Sequence, residues 1–288
     1  MLFIVTPVFN RKKFTYNYLQ SLKDQTFKDF KVIIVDDGST DGTSKMIKND
    51  FPKVILIETE GNLWWSESTN LGIKHAISMG ASQIITMNND TLLESTLLND
   101  LLLYSKDHPK TLLMPVGLHY ETKVIIDGGW NINWKTAKYR NMSYQIKNSN
   151  GKNFHNVNVA PGRCLLIPVE VFNKIGFFEA NKFPQAIADF DFTSKANRFG
   201  FDIIVCHDAK VMLYPLDSGS VDIIINKSIK NYFLHLFGRK GLGNLKWFIL
   251  FAIRNSPKRY LITFLIFGIF RRLLNYFTVN PKQRGMKR

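Results

Sequence analysis

Along the first hundred or so residues, short uninterrupted apolar runs alternate with longer stretches in which apolar and polar positions mix. "LFIV" (2–5), "KVIIV" (31–35), "KVILI" (53–57), "QIITM" (83–87) and "TLLMPV" (111–116) have no polar alternation, so they predict strands buried on both faces. The stretches between them, "TYNYLQSLKDQ", "GTSKMIKND", "SESTNLGIKHAISMG" and "LLESTLLNDLLLYSKD", are each long enough for a crossover helix. A β-α repeat of this kind predicts an α/β fold with a mostly parallel central sheet and helices on both faces. Such sheets take their ligands at the carboxyl ends of the strands.

The polar clusters stand at those ends. "TPVFN" follows the first run, "DDGSTDGT" the second, "ETEGN" the third and "NNDT" the fourth, so four strand ends converge on one crevice. From about 117 to 160 the pattern is mixed: "GLHYETKVIIDGGWNINW" predicts a hairpin and "KYRNMSYQIKNSNGKN" a polar loop, together either an insertion or an acceptor-side element. Apolar runs resume at "RCLLIP" and "FDIIVC", with a helix "ADFDFTSKANRFG" between them closed by Gly200.

Charge divides the chain. The formal charge of +15 is concentrated in the last segment, where Asp222 to Arg288 holds 14 Lys or Arg against one acid, while residues 1–221 hold 24 against 22. This gives a nearly neutral α/β domain, 1–221, and a basic amphipathic helical tail, 222–288. A neutral body with its polar residues gathered at one set of strand ends, instead of a basic stripe, argues against nucleic acid as a partner. A basic binding protein with an inactive core is the reading from another class.

In the tail, "NSPKRYLITFLIFGIFRRLLNYF" predicts a helix with Ser256 as N-cap and Pro257 at its first position. Its uncharged run, Tyr260 to Phe270, is 11 residues long, about 16 Å of helix against a hydrocarbon core of about 30 Å. Bracketed by basic residues, and joined by a second patch "NLKWFILFAIR", it predicts an element that lies on an anionic membrane surface without spanning it. Packing on the core, or a homodimer interface, is the alternative use of the same faces. Cys164 and Cys206 sit in apolar runs and predict buried thiols in a reducing compartment. "MLFIVTPVFN" lacks the basic start and cleavage site of a signal peptide, so the expected location is cytoplasmic, peripheral on the inner face of the cell membrane.

Two strand ends carry the chemistry. In "VIIVDDGSTDGT", Asp36 and Asp37 precede a Ser/Thr/Gly turn into a helix. They read either as caps of that turn or as acceptors for the ring N–H of a nucleotide base, with Asp36, nearer the strand, the first choice. In "ITMNNDT", Asn88, Asn89 and Asp90 stand where a divalent cation bridging a diphosphate would be held. Asp90 is the sole carboxylate of that stretch.

"TPVFN", "VDDGSTDGT", "GNLWWSESTNLGI", "NNDT" and "ADFDF" stand in the order and spacing that resemble the nucleotide-sugar-dependent glycosyltransferases of family 2, over roughly residues 1–215. Within that family, "NLWWSESTNLGI" and "NNDT" are most similar to the rhamnosyltransferase-like members that supply bacterial surface polysaccharides. The resemblance implies the GT-A fold and inverting transfer from a nucleoside diphosphate sugar, dTDP-rhamnose or a UDP-hexose, to a glycan or polyprenyl-linked acceptor. It implies that Thr6, Pro7, Asn10, Asp36, Asp37, Asn62, Trp65, Asn70, Asn88 and Asn89 bind the nucleotide sugar, and that Asp90 holds Mg²⁺ or Mn²⁺. Asp189 matches the catalytic base, and Asp191 orients neighbouring groups or caps the helix, with the two roles open to exchange.

The departures from the pattern are specific. The family's Asp-x-Asp falls on Asn88, Asn89 and Asp90, so one carboxylate remains, and diphosphate oxygens and water would complete the ion's shell. Ala188 stands in place of the first acid before Asp189, and Trp64 in place of a usual glycine. Tyr214 stands where many relatives have a histidine, with His207 the nearest substitute. Arg163 in "APGRCLLIP" reads either as an approach to acceptor or diphosphate or as a plain surface residue. Sugar nucleotidyl transfer is the other enzymatic reading, but "TPVFNRKK" has no glycine-rich loop after the first strand.

Overall fold

The computed structural model describes residues 1–149, 151–214, 223, 226–239, 241 and 243–278. The first half follows the predicted alternation: β1 (Leu2–Val8), α1 (Lys12–Lys23), β2 (Phe30–Asp36), α2 (Thr43–Asp50), β3 (Ile55–Glu58), α3 (Trp64–Ser78), β4 (Gln83–Met87), β5 (Thr91–Leu93), α4 (Leu97–Asp107) and β6 (Leu112–His119). The predicted helix "LLESTLLNDLLLYSKD" is shorter than expected. Its first residues form β5 instead, and α4 starts at Leu97.

The predicted hairpin region holds two elements. β7 (Ile125–Asp127) folds back on β6, and β8 (Trp130–Asn133) pairs with β9 (Lys138–Asn141) as a separate antiparallel ribbon. Then come α5 (Ser143–Lys147), β10 (Phe154–Asn156), β11 (Cys164–Pro168), α6 (Val169–Ile175), α7 (Ala188–Arg198) and β12 (Ile203–Leu213). Gly200, just past α7, has φ +86°, the left-handed conformation expected of a residue that ends a helix.

The sheet runs β10-β12-β6-β11-β4-β1-β2-β3. β1 is parallel to β2 and β4, β2 to β3, and β12 to β6, while β11 is antiparallel to both β4 and β6. The sheet is therefore mostly parallel, with β11 reversed at its centre and the short strands β5, β7 and β10 antiparallel to β12, β6 and β12. β3 differs from expectation, since its position at the sheet edge leaves Ile55, Leu56 and Ile57 half-buried.

Alternation along β1 sorts the core into two layers. Phe3 and Val5 face a cluster with Ile73, Phe172 and Phe192, while Leu2 and Ile4 face another with Tyr18, Ile47 and Leu101. Gly72 lets α3 lie close on β1, because a Cβ there would come within 2.4 Å of Val5 Cγ1. Cys164 and Cys206 are buried free thiols, as predicted, and burial pushes both well above the ordinary thiol range.

The C-terminal segment supplies α8 (Ile229–Phe237), α9 (Leu245–Asn255) and α10 (Leu261–Thr278). Trp247, Phe248, Phe251, Ala252 and Phe264 join the same core cluster as Phe3 and Val5, so α9 and α10 pack on the body. The division predicted at 221/222 lies outside the described residues. Ser256 and Pro257 do not start the last helix: Ser256 ends α9, its N–H bonded to the carbonyl of Ala252. Pro257 is extended at ψ 133°, and a 3₁₀ turn over Lys258–Tyr260 leads into α10.

Candidate active site

Because β1, β2, β3 and β4 point the same way, Val8, Asp36, Glu58 and Met87 end along one edge of the sheet. The reversed β11 brings its start to that edge, with Cys164 opposite Met87, and the N–H of Asn88 bonds the carbonyl of Arg163 at 3.3 Å. The N-terminus of α7 closes the far side. These ends enclose a cleft of about 710 Å³.

The structure brings most of the predicted residues to this cleft. Pro7, Asp37, Asn62, Trp65, Asn88, Asn89, Asp90 and Asp189 line it, as does Trp64. Trp65 ties three walls together: its indole N–H donates to Asn88 Oδ1 at 2.9 Å, its backbone N–H to Gln185 Oε1 at 3.2 Å, and its ring lies against Gly162. A Cβ on Gly162 would stand 2.7 Å from that ring. Gly162 also donates its N–H to Asp189 Oδ2 at 3.1 Å.

Other predicted residues sit behind the lining. Thr6 is fully buried and shares a 2.6 Å hydrogen bond with the Tyr18 hydroxyl. Asn70 is a buried clamp, donating to the Phe178 carbonyl at 2.8 Å and accepting from its N–H at 3.1 Å. Asp36 is 1% exposed and accepts from Ser39 N–H at 2.9 Å and from the Ser44 hydroxyl. Asn10, at φ 50°, accepts from Thr40 N–H at 2.8 Å and so holds the loop after β2. Asp37 accepts from Leu63 N–H at 3.0 Å and from Trp64 N–H at 2.9 Å, which fixes the loop leading into α3.

Left-handed backbone conformations at Asn62 (φ 70°), Trp64 (φ 61°) and Ile187 (φ 69°) all fall on the cleft wall. Ile187 is β-branched, for which this conformation is a true outlier, the sort of local strain that functional sites retain.

The two acids of α7 part company. Asp189 faces the cleft half-buried, and burial pushes its carboxyl above the ordinary aspartate range despite the Gly162 and Phe190 N–H groups and the charge of Arg163, which pull it down. Asp191 is 2% exposed and faces α9, where Arg254 Nε meets Oδ1 at 3.0 Å, Arg254 Nη2 meets Oδ2 at 3.2 Å, and Asn255 donates to Oδ1 at 2.7 Å.

At the β4 end, Asp90 pairs with Arg11 Nη1 at 3.5 Å. Arg11, on the lining, was not singled out from the sequence, although it directly follows "TPVFN". Arg163 forms an ion pair with the buried Asp127. Burial opposes its charge, but Asp127, Asp90 and Asp189 together outweigh burial and raise its pKa. Among the described residues no three His, Cys, Asp or Glu side chains form a metal-ligand group. His207 lies off the cleft, within 2.7 Å of His155, and Tyr214 packs edge-on against Phe14 and bonds its N–H to the Asp90 carbonyl at 3.4 Å.

The UDP-N-acetylglucosamine–dolichyl-phosphate N-acetylglucosaminyltransferase of Methanococcus voltae is 30% identical over 31% of this chain and 41% of its own length. Among solved structures, GalNAc-T7 with UDP, GalNAc and Mn²⁺ matches with a TM-score of 0.64 at 13% identity, over 100% of this chain and 55% of the other. S. aureus TarS 1-349 in complex with UDP matches at 0.58 and 16% identity, over 96% of this chain and 90% of the other. The chain spans under half the length of the curated relatives it matches. The structural likenesses show the GT-A type of α/β fold. The family described as Glycosyl transferase family 2 matches residues 3–176, more than half of the chain and every strand end of the cleft, and to that family the chain belongs.

Proposed function

We propose that the protein transfers a sugar, with inversion, from a nucleoside diphosphate sugar bound in the cleft to a hydroxyl of a glycan or polyprenyl-linked acceptor. The observation that carries this reading is the joint presence of Asp189 and Asp90 on the lining of one cleft, with Asp189 held above the usual aspartate range by burial. A carboxylate of raised pKa is a better base near neutral pH. Asp189 takes the proton of the acceptor hydroxyl as its oxygen attacks the anomeric carbon, and the bond to the diphosphate breaks on the opposite face. The glycoside forms with inverted configuration and the nucleoside diphosphate leaves. Asp191 holds α7 in place instead of touching substrate.

Arg11 and Arg163 flank the diphosphate side and supply fixed positive charge near Asp90. The residues present fit a hard divalent cation that arrives with the nucleotide: Asp90 offers hard oxygens, and among the described residues no preformed cluster would hold the ion alone. Mg²⁺ or Mn²⁺ held there by Asp90, with Asn88 and Asn89 beside it, would neutralise charge on the leaving diphosphate. The relatives' UDP complexes favour a uridine donor for the first tests, and the resemblance of "NLWWSESTNLGI" and "NNDT" adds dTDP-rhamnose. For the base, Asp37 lines the cleft and Asp36 organises the loop beneath it.

The C-terminal helices support a place at a membrane surface. Among them Phe233, Phe237, Ile262, Ile266, Phe270 and Phe277 are each more than half exposed, although on α10 Phe264 is buried beside Trp134, Gly268 against Phe248 and Tyr276 against Tyr232. Lys258–Thr278 is long and apolar enough to cross a bilayer by length and composition. With one face in protein, α10 is better suited to lie in the interface, its neighbours Lys258, Arg259 and Lys230 toward anionic headgroups.

Calorimetric titration with UDP and dTDP, with and without Mn²⁺, tests the donor reading, followed by assay of transfer from UDP-sugars and dTDP-rhamnose. Binding strengthened by Mn²⁺ and release of nucleoside diphosphate are expected. Absence of binding by either nucleotide sinks it.

A further inference from the structure

A second cavity, about 1130 Å³, lies between the β8–β9 ribbon, the start of α7 and α10. It shares Ile187 and Phe190 with the donor cleft, and Asp189 lies between those two in sequence and faces the cleft. The two cavities thus share the stretch of wall that carries Asp189.

The lining is chemically one-sided. It carries Lys138, Arg140, Arg271 and Arg272 and no acid. None of the ion pairs among the described residues includes any of these four. The Nε of Arg272 and both ring nitrogens of His235, which is 5% exposed, are enclosed without a hydrogen-bond partner. The Nη1 of Arg272 donates to the Gly268 carbonyl at 3.3 Å, the guanidinium also interacts with the Tyr139 hydroxyl, and it rests on the Phe248 ring 3.6 Å from its centroid. Buried polar groups are nearly always satisfied, so the Arg272 Nε–H and the single N–H of a His235 that burial keeps neutral mark a place on this wall where ligand oxygens belong. Beside them is an aromatic wall, with Tyr139 stacked on Phe190 at 6.2 Å and Trp130 6.5 Å from the same ring. Aromatic faces suit the apolar face of a sugar ring, and guanidinium groups suit phosphate oxygens.

We infer that this cavity is the acceptor site and that it selects an acceptor carrying a phosphate group on its carbohydrate, with Arg272 and Arg271 on the phosphate oxygens and Trp130, Tyr139 and Phe190 on the sugar. The assignment rests on the transferase reading above. Its position under α10, whose outer face is apolar and exposed, places the phosphate where a lipid-linked acceptor would present it. Free glycan phosphates and lipid headgroups share this chemistry, and the test separates them.

Full-length protein is first saturated with UDP and Mn²⁺ to block the donor cleft, then titrated calorimetrically with glucose 1-phosphate, with glucose, and with phosphatidylglycerol vesicles. Glucose 1-phosphate should bind at least about tenfold more tightly than glucose, since charge-assisted bonds of this kind are the strong ones. Arg272→Met should lose about tenfold or more of that affinity and leave UDP binding within twofold. Arg140→Gln, on the exposed ribbon, should lose severalfold and serves as the second variant should Arg272→Met fold poorly. Equal binding of glucose and glucose 1-phosphate, or wild-type affinity in both variants, overturns the inference. So does loss of vesicle binding in the variants with no sugar phosphate binding in the wild type, since the cations would then serve the lipid surface. Failure of UDP to bind overturns the transferase reading instead, and Arg272-dependent binding of glucose 1-phosphate would still uphold a phosphate site.

Discussion

Arg254, in the basic C-terminal segment, grips Asp191 through Nε at 3.0 Å and Nη2 at 3.2 Å, and its Nη2 also reaches Glu179 Oε1 at 2.9 Å. One side chain of α9 thereby holds the first turn of α7, the turn that presents Asp189 to the cleft. The C-terminal segment thus fixes the turn that carries Asp189, the proposed base.

Arg254→Met should therefore cost both stability and turnover. Removing one partner of a buried pair leaves a charge enclosed, an effect of about 3 kcal/mol. Asn255 still bonds Asp191 and softens the loss. Denaturant titration measures the stability, and kinetics should show a fall in kcat larger than any rise in KM. Unchanged kcat in the folded variant would separate Arg254 from the base.

Asp189→Asn should lower turnover about a hundredfold or more while leaving nucleotide affinity intact, because the amide keeps the shape but accepts no proton. In the wild type the acid limb of kcat/KM should lie above the usual aspartate range of about 3.9, since the base must be deprotonated and burial raises its pKa. Arg163 pulls that pKa down, so Arg163→Gln should move the limb to still higher pH. The stability sign is the opposite of the activity sign. A raised folded pKa contributes stability fully present below the unfolded value and lost as pH rises through the folded one. An acid limb at or below the ordinary range removes Asp189 from the role of base.

Asp90→Asn should abolish the enhancement of UDP binding by Mn²⁺, with nucleotide binding alone reduced far less. The readout is calorimetric, so it does not depend on a known acceptor. Full Mn²⁺ enhancement in the variant would move the ion elsewhere.

Ile262→Glu with Phe270→Glu changes two exposed positions of α10 and should leave the fold intact, as surface substitutions usually do. Flotation with anionic vesicles should be lost in the double variant and, for the wild type, in high salt. Wild-type flotation by the double variant would sink the membrane placement. A shift from dimer to monomer in the same variant would show that this face serves self-association.

The order of strands and helices and the convergence of polar clusters at the strand ends were legible in the sequence, because periodicity, turn residues and caps act over a few neighbours. The uninterrupted apolar runs of β1, β2 and β4 declared their burial, and "VDDGSTDGT" and "NNDT" their places after strands. What a side chain faces is set by partners far along the chain, and only the tertiary structure decided it. Asp189 and Asp191 lie two residues apart, about 200° around a helix, so one meets the cleft and the other meets Arg254, 63 residues away. Thr6 and Asn70 belong to matching motifs yet point inward, to Tyr18 and Phe178. The cations of α10 read in the sequence as a membrane-facing tail. Packing turns Arg272 inward, onto Phe248 and beside Tyr139, because apolar burial of Phe248 and Phe264 fixes the helix against the body and leaves the guanidinium nowhere else to go.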